Sequence, residues 1–299
     1  MATLYFHIPF CKRICSYCDF YKVGALELLP RVVESMHREL DERSSYLSER
    51  RLTSIYFGGG TPSLVAPDDI EQLINHAREI FDCSKVEEVT IEANPDDITE
   101  EYVAALKSTS VNRVSLGIQS FDDRVLQFMN RRHTGTEAEE AVKRLRMIGI
   151  NNISIDLIFG IAGFGTSHLD ESLQRAINLD VEHISAYHLT IEERTRLGML
   201  MRKGEYTPIS DEESEREFLR VHNALCGIGA SNHSDESRVE MDFYATDPKA
   251  VDYLLRHEQF NNHIWECACG TGNLSKQLEQ YGYNVRSTDL VYRGFGGGK

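Results

Sequence analysis

The stretch that decides the fold lies at residues 4–18 and reads LYFHIPFCKRICSYC. It begins with a run of apolar and aromatic residues, long enough for one β-strand, and continues with cysteines at positions 11, 15 and 18. In α/β folds the reactive groups gather in the loops at the carboxyl ends of parallel strands. This stretch therefore predicts a chemically active loop after the first strand of such a fold.

Three thiols at this spacing indicate a metal centre. Thiolates are preferred ligands of iron–sulfur clusters and of zinc. A loop that gives only three thiolates to a 4Fe-4S cluster leaves one iron open, and that iron can chelate the amino and carboxylate groups of S-adenosylmethionine. The alternative is a structural zinc site, which normally needs four protein ligands; His7 is the available fourth, and its place in the strand is awkward. The spacing favours the cluster.

The composition limits the remaining choices. The chain has 299 residues, 41% of them hydrophobic, which fits a soluble globular protein with one large core or two modest ones. Its formal charge of -15 argues against general binding to nucleic acid or to anionic membranes. His7 and Pro9 interrupt the first apolar stretch too early for a signal peptide or a membrane span. With grouped rather than evenly spread cysteines, we expect a cytoplasmic protein.

From the N-terminus to about Ser185 the chain repeats a short strand, a turn and a segment of helical periodicity. This alternation predicts an α/β fold, a partial (βα)6 TIM-like barrel with its helices outside. The predicted strands lie near Leu4–Ile8, Ser54–Phe57, Glu88–Glu92, Arg113–Gly117, Ile153–Phe159 and His183–Leu189.

Glycines and polar residues recur where these strands end. Residues 58–62 read GGGTP, and such glycines permit a close approach of the backbone to a ligand. The next three strands each place one polar side chain there: Glu92, Gln119 and Asp156. Each of these could equally cap a helix or bridge two loops, but their shared level indicates a ligand. Arg131 could bind a carboxylate or be a solvated helix charge, and His133 alone is typical of a surface or capping histidine.

Together these segments resemble the radical S-adenosylmethionine (radical SAM) family, in particular the oxygen-independent coproporphyrinogen oxidases and the related HemW-type heme chaperones. The resemblance covers roughly the first 225 residues. It is carried by YxHIPFCxxxCxxCDF at 5–20, GGGTP at 58–62, EANP at 92–95, SLGIQSF at 115–121 and DLIFG at 156–160.

The resemblance implies a cofactor set and the residues that hold it. Cys11, Cys15 and Cys18 would ligate a 4Fe-4S cluster. Nine positions would contact S-adenosylmethionine: Tyr5, Tyr17, Gly59, Gly60, Thr61, Glu92, Gln119, Arg131 and Asp156. In enzymes of this kind the cluster cleaves S-adenosylmethionine reductively to a 5'-deoxyadenosyl radical, with an electron donor such as flavodoxin or ferredoxin.

The family divides into oxidases and chaperones. Oxidases carry a further cysteine two positions after the third ligand, whereas Phe20 stands there in this chain, as in the chaperone branch. We therefore expect a heme chaperone-like protein of porphyrin or heme metabolism, with heme or porphyrin as a ligand. The chaperone branch also has His-Asn and Tyr-Trp motifs linked with heme, and none follows Ala230. Radical enzyme and heme-binding carrier without radical turnover both stay open.

The pattern changes after residue 226. Residues 227–241 are small and polar, which predicts a linker between a barrel at 1–226 and a different segment at 242–299. That segment reads DFYATDP at 242–248, has a predicted helix near Lys249–His257 and continues with IWECACGTGN at 264–273. With Asp289 closing the next strand, it resembles the opening of a class I adenine-type DNA methyltransferase.

The methyltransferase resemblance is incomplete. The Asn- or Asp-Pro-Pro-Tyr/Phe loop that holds a flipped base in such enzymes does not occur before Lys299. We therefore expect a short, truncated Rossmann-like segment that binds S-adenosylmethionine weakly, and we do not expect methylation of nucleic acid. A non-functional chimera is the further alternative for the whole chain.

Overall fold

The structure is a computed structural model and describes residues 2–45, 50–232, 263–266, 273–289 and 297–298. The chain divides into two compact units, residues 1–228 and residues 229–299. The strands of the first unit are β1 (Ala2–Ile8), β2 (Leu52–Gly59), β3 (Glu88–Ala93), β4 (Arg113–Gln119), β5 (Asn152–Phe159) and β6 (His183–His188). The helices that begin in it are α1 (Leu29–Glu42), α2 (Pro67–Ile80), α3 (Glu100–Leu106), α4 (Asp123–Phe128), α5 (Gly135–Met147), α6 (Ser167–Asn178), α7 (Arg196–Arg202) and α8 (Asp211–Asn232).

Strands β1 to β6 form one parallel sheet in which each strand pairs with the next along the chain. At least one α-helix lies in every connection, which is the arrangement of a (βα) barrel. The predicted α/β fold and all six predicted strands are confirmed. The second strand is longer than the prediction, because it extends from Leu52 to Gly59.

Successive side chains of a strand point to opposite sides, and the two sides of this sheet differ. The outer face packs against the helices and is apolar; it includes Phe6, Phe57, Ile91, Leu116 and Ile155, all buried. The inner face consists of the alternate positions and is polar; it includes Tyr5, Tyr56, Glu92, Ser115 and Asp156. The large hydrophobic core therefore lies on the helix side of the strands, and a second, smaller apolar cluster includes Ile158 of β5.

Helix α8 is fixed to the rim of the sheet. The buried carboxylate of Glu217 accepts a hydrogen bond from the backbone N–H of Gly160 at 2.7 Å, and Arg220 pairs with Asp170 at 2.6 Å. The helix extends to Asn232, so residues 227–232 of the predicted linker are helical. Within the described ranges, no helix combines the length and apolar character that a bilayer span requires.

The second unit contains β7 (His263–Glu266), α9 (Asn273–Gln280), β8 (Asn284–Asp289) and β9 (Gly297–Gly298). The three strands are parallel, in the order β7, β8, β9. A strand, a helix and a parallel strand follow one another as the sequence predicts for a Rossmann-like segment. The rest of the predicted linker, the predicted helix near Lys249–His257 and the glycine turn at 267–272 lie outside the described residues.

Candidate functional site

The loop that follows β1, residues 9–23, is tied to the rest of the first unit by backbone hydrogen bonds. Its two ends are joined, because Cys11 N donates to Val23 O at 3.1 Å and Val23 N donates to Pro9 O at 2.7 Å. Its middle is held at Ser16, whose N–H donates to Met129 O at 3.0 Å and whose carbonyl accepts from α7 at 2.8 Å. This cysteine loop carries three free, partly buried thiols: Cys11, Cys15 and Cys18.

Polar groups approach two of these sulfurs. The Thr61 hydroxyl lies 3.6 Å from Cys11 Sγ, and a guanidinium nitrogen of Arg131 lies 3.3 Å from Cys15 Sγ. Burial raises the pKa of the Cys11 thiol, and the hydrogen bond from Thr61 opposes that shift. Hydrogen-bond donors at a sulfur stabilise the thiolate, which is the form that binds iron.

The placement of the ligands bears on the zinc alternative. In the part of the chain that the structure describes, no three His, Cys, Asp or Glu side chains are arranged to hold a single metal ion. Zinc draws its ligands to about 2.0–2.3 Å from one centre. A 4Fe-4S cluster binds each thiolate through a different iron, so its ligands surround a volume and do not converge on a point. A zinc site and a cluster therefore require different arrangements of the three thiols.

A cavity of about 760 Å³ opens between the cysteine loop and the carboxyl ends of the strands. It brings together the three cysteines and every predicted S-adenosylmethionine residue except Tyr5: Tyr17, Gly59, Gly60, Thr61, Glu92, Gln119, Arg131 and Asp156. Tyr5 lies on β1 beside this cavity, half exposed, with its hydroxyl 3.1 Å from His7 Nδ1. Residues that are far apart in sequence thus face one space.

The glycines at the end of β2 and directly after it allow the cysteine loop to pass close by. Gly59 has a φ of +117°, a backbone conformation that residues other than glycine rarely adopt. A Cβ added to Gly60 would lie 2.7 Å from the carbonyl oxygen of Phe10. Both observations concern the approach of the cysteine loop, and the predicted approach of the glycine backbone to a ligand stays a prediction.

Two carboxylates lie on the inner face at the cavity. Glu92 accepts hydrogen bonds from Tyr56 OH at 2.8 Å and from Gly59 N at 3.0 Å. Burial, with a further contribution from the nearby charge of Glu92, raises the pKa of Asp156 to about 6. Neither residue caps a helix in these contacts, and both line the cavity.

Gln119, at the end of β4, has a φ of +71°. A non-glycine residue in the left-handed region costs free energy, and such residues cluster at functional sites. The strand register also shifts between Leu116 and Gln119. This irregularity turns Gln119 toward the cavity that it lines.

Arg131 is partly buried at the cavity wall, so the alternative of a solvated helix charge is wrong. Its guanidinium donates to Asn94 Oδ1 at 2.6 Å, to the carbonyl of Gly117 and to Cys15 Sγ. Burial acts to lower the pKa of Arg131, but Tyr17 and Cys15 outweigh it and the pKa is raised. Its Nε is buried without a hydrogen-bond partner among the described residues.

His133 is buried and is neither a surface nor a capping residue, contrary to expectation. Its Nε2 lies 3.0 Å from the carbonyl of Ile118, and burial together with the charge of Arg131 lowers its pKa to about 3. The ring is therefore neutral at physiological pH, with its proton on the nitrogen that faces the carbonyl.

Sequence reasoning missed some residues of the site. Asn94, which orients Arg131, was inside a quoted motif but was not singled out. Tyr56 contacts Glu92 and could have been found from period 2, since it shares a strand face with Gly58. Lys22 donates to the carbonyl of Cys18 and has no signal in the sequence other than its place after the third cysteine.

A family model described as the radical SAM superfamily matches residues 5–176, more than half of the chain. The chain belongs to the radical SAM superfamily. A heme chaperone HemW of Bacillus subtilis is 35% identical over 218 residues, which are 72% of this chain and 58% of that protein. A heme chaperone HemW of Escherichia coli is 33% identical over 297 residues, which are 98% of this chain and 75% of that protein.

A solved structure shows the same fold as this radical SAM protein. The coproporphyrinogen III oxidase HemN of Escherichia coli, described as a radical SAM enzyme, matches with a TM-score of 0.66 and 23% identity over 75% of this chain and 52% of that one. At that identity the likeness concerns the fold. The chain spans about three fifths of the length of the Bacillus relative.

Membership of the radical SAM superfamily implies a 4Fe-4S cluster and S-adenosylmethionine, and the residues of the cavity fit both groups. Three soft thiolates stand on one loop, and the unpartnered N–H of Arg131 is available to an acceptor. Glycine backbone and the two carboxylates line the same cavity and provide donors and acceptors for a polar ligand.

Proposed function

We propose that this radical SAM protein belongs to the heme chaperone and coproporphyrinogen oxidase-like group, that it holds a 4Fe-4S cluster through Cys11, Cys15 and Cys18, and that it acts in heme or porphyrin metabolism. The single observation that carries the proposal is the cavity. Three thiols on an anchored loop and eight of the nine predicted S-adenosylmethionine residues line the same space.

The residues of the chain divide the work between metal and cofactor. The thiolates would hold three irons. The guanidinium of Arg131 would place a positive charge beside the Cys15 thiolate. Glu92 and Asp156 would accept hydrogen bonds from the cofactor, while the glycines at 58–60 let it approach the backbone. When bound, the cluster supplies the electron for reductive cleavage of S-adenosylmethionine, and a donor such as flavodoxin or ferredoxin would replenish it.

Within this group we propose the chaperone branch. Phe20 stands where oxidases of the resemblance carry a further cysteine, and its ring is 75% exposed at the cavity wall. An exposed aromatic ring offers an apolar contact to a planar porphyrin, and the further cysteine of the oxidase pattern is absent from this position. The relatives from Bacillus and Escherichia that match this chain are named heme chaperones, which supports the same choice.

Anaerobic reconstitution tests the proposal. We expect about four irons and four sulfides per chain, with S-adenosylmethionine binding that depends on the cluster. Stoichiometric zinc with little iron would contradict it. A heme titration of the wild-type chain and of the variant Cys11→Ser/Cys15→Ser/Cys18→Ser separates the alternatives: heme binding that survives in the variant indicates a carrier without radical turnover, and no spectral change in either sample contradicts the heme assignment.

For residues 242–299 we propose a truncated S-adenosylmethionine-binding segment of the class I methyltransferase type. The parallel pair of β7 and β8 around α9 supports it, and Asp289 ends β8, where such folds place an acidic residue for ribose hydroxyls. Incubation of the chain with DNA and methyl-labelled S-adenosylmethionine should transfer no label. Transfer to DNA would show a complete methyltransferase instead.

A further inference from the structure

A tyrosine that the sequence analysis did not select holds one of the site carboxylates in place. We propose that Tyr56 is a positioning residue, which orients Glu92 toward the hydrogen-bond donors of S-adenosylmethionine; the inference rests on the proposed function of the cavity. Tyr56 lies on β2 and Glu92 on β3, and both belong to the inner face of the sheet. The phenol donates to Glu92 Oε1 at 2.8 Å.

Both oxygens of the carboxylate are engaged by fixed groups. Gly59 N donates to Glu92 Oε2 at 3.0 Å, while Tyr56 takes Oε1. Each carboxylate oxygen can accept further hydrogen bonds, so acceptor capacity remains for a ligand in the cavity that Glu92 lines. A glutamate that is already ordered loses less rotamer entropy on ligand binding than a free one. The contact therefore favours affinity for the ligand.

Tyr56 is itself held by packing. Its ring stacks on Tyr5 with centroids 5.9 Å apart and an interplanar angle of 23°. The space for this contact exists because residue 58 is glycine. A Cβ there would lie 2.8 Å from Tyr56, 2.9 Å from Tyr5 and 3.0 Å from Glu92 Oε1. Gly58 belongs to the glycine segment that the cysteine loop approaches. It has a second role, because its lack of a side chain leaves space for these three side chains to meet.

The phenol is suited to be a permanent donor. Burial, followed by the charge of Glu92, raises the pKa of Tyr56 above its ordinary value, so the hydroxyl keeps its proton through the physiological range. Tyr56 does not line the cavity and makes no contact with the cysteine loop in the hydrogen bonds described. Its influence on a ligand therefore passes through Glu92.

The test is the affinity for S-adenosylmethionine of the anaerobically reconstituted full chain, measured by calorimetry without turnover. Tyr56→Phe removes one hydrogen bond to a charged group and leaves the ring, so we expect about tenfold weaker binding with unchanged iron and sulfide content. Tyr102→Phe is the matched control. Its hydroxyl is buried with no hydrogen-bond partner in the described residues, and its loss should leave the affinity within about twofold of wild type.

A double-mutant cycle distinguishes positioning from a general structural effect. If Tyr56 acts through Glu92, Tyr56→Phe should change the affinity less than about twofold in a Glu92→Ala background, which has no acceptor for the phenol. The inference is overturned if Tyr56→Phe binds like wild type, or if the full loss persists in that background. A wild-type chain that holds its cluster but does not bind S-adenosylmethionine overturns the proposed function as well, which separates the two failures.

Discussion

On the outer face of the sheet, Phe6 and Phe57 stack with ring centroids 4.7 Å apart and are fully enclosed by core residues. On the inner face, their chain neighbours Tyr5 and Tyr56 stack at 5.9 Å, and their hydroxyls contact His7 and Glu92. The same two strands thus supply apolar packing on one side and a hydrogen-bonded polar wall on the other. The alternation separates stability from chemistry, so substitutions on the two sides should have separable effects.

The largest expected effect is at the cysteine loop, where Cys15→Ser removes one of three thiolates. We expect less than about a tenth of the wild-type iron after reconstitution, because a hydroxyl is a poor ligand for cluster iron. The urea midpoint of the apo chain should hardly change. Cys83→Ser is the control, since Cys83 is also free and partly buried, and it should retain full iron. A full iron content in Cys15→Ser would show that Cys15 does not ligate the cluster.

The next effect belongs to the outer face. Phe57→Ala removes a ring that is completely buried, and we expect the free energy of unfolding to fall by about 3–5 kcal/mol, as for other large-to-small core changes. Urea unfolding followed by circular dichroism measures it. Phe20→Ala, at an exposed ring, should cost less than about 0.5 kcal/mol. Equal losses at the two positions would show that the faces do not differ in the way described.

A smaller effect, of opposite sign, is expected at Asp156 on the inner face. Because its folded pKa is raised to about 6, the folded chain binds more protons than the unfolded chain between about pH 4 and 6, and stability falls as pH rises through that window. Asp156→Asn should therefore stabilise the apo chain at pH 7.5 by about 1–2 kcal/mol and change little at pH 4. Unfolding at both pH values measures it, and destabilisation at pH 7.5 would contradict the prediction.

The smallest effect concerns a polar cluster on the helices outside the sheet. His37 Nδ1 lies 2.8 Å from His76 Nδ1, and His76 Nε2 lies 2.9 Å from Asp41. Burial and the neighbouring His76 lower the pKa of His37, whereas Asp41 and Asp69 oppose the shift. The unfolded chain then binds more protons, so the contribution is present above about pH 6.5 and is lost as pH falls.

His37→Gln should remove part of this pH dependence and cost about 0.5–1.5 kcal/mol at pH 7.5, the range for one hydrogen bond. Comparison of urea midpoints at pH 7.5 and 5.5 for wild type and variant measures it. The prediction is contradicted if the wild-type chain has a higher urea midpoint at pH 5.5 than at pH 7.5 while the midpoint of His37→Gln is the same at both pH values.

The strands and the cysteine loop could be predicted because their signals are local. Residues 4–18 contain both the first strand and the thiol spacing, and the same short period identifies the other five strands. Glu92 follows from knowing where β3 ends, whereas Asp156 lies inside β5 and was selected by its polarity within an apolar strand. Helix α8 was missed beyond residue 226 because small residues such as Gly227 and Gly229 carry weak helical preference, which the observed helix overrides.

The rest depends on distances across the fold, which sequence does not encode locally. Arg131 looks like a helix charge until the cavity wall places it against Cys15 and Asn94. The left-handed turn at Gln119 results from a register shift between β4 and β5. Tyr56 meets Glu92 only because neighbouring strands are aligned and residue 58 has no side chain. Each of these contacts joins separate segments.

The anchored cysteine loop has a consequence for damage and repair. Iron–sulfur clusters are vulnerable to oxidants, and a loop that collapsed after losing its cluster would have to refold before accepting another. Here the main-chain ties from Pro9 to Val23 and from Ser16 to Met129 do not involve the sulfurs. After loss of the cluster, the cysteine loop should therefore keep its conformation. The cluster could then be rebuilt from iron, sulfide and a reductant without refolding of the loop.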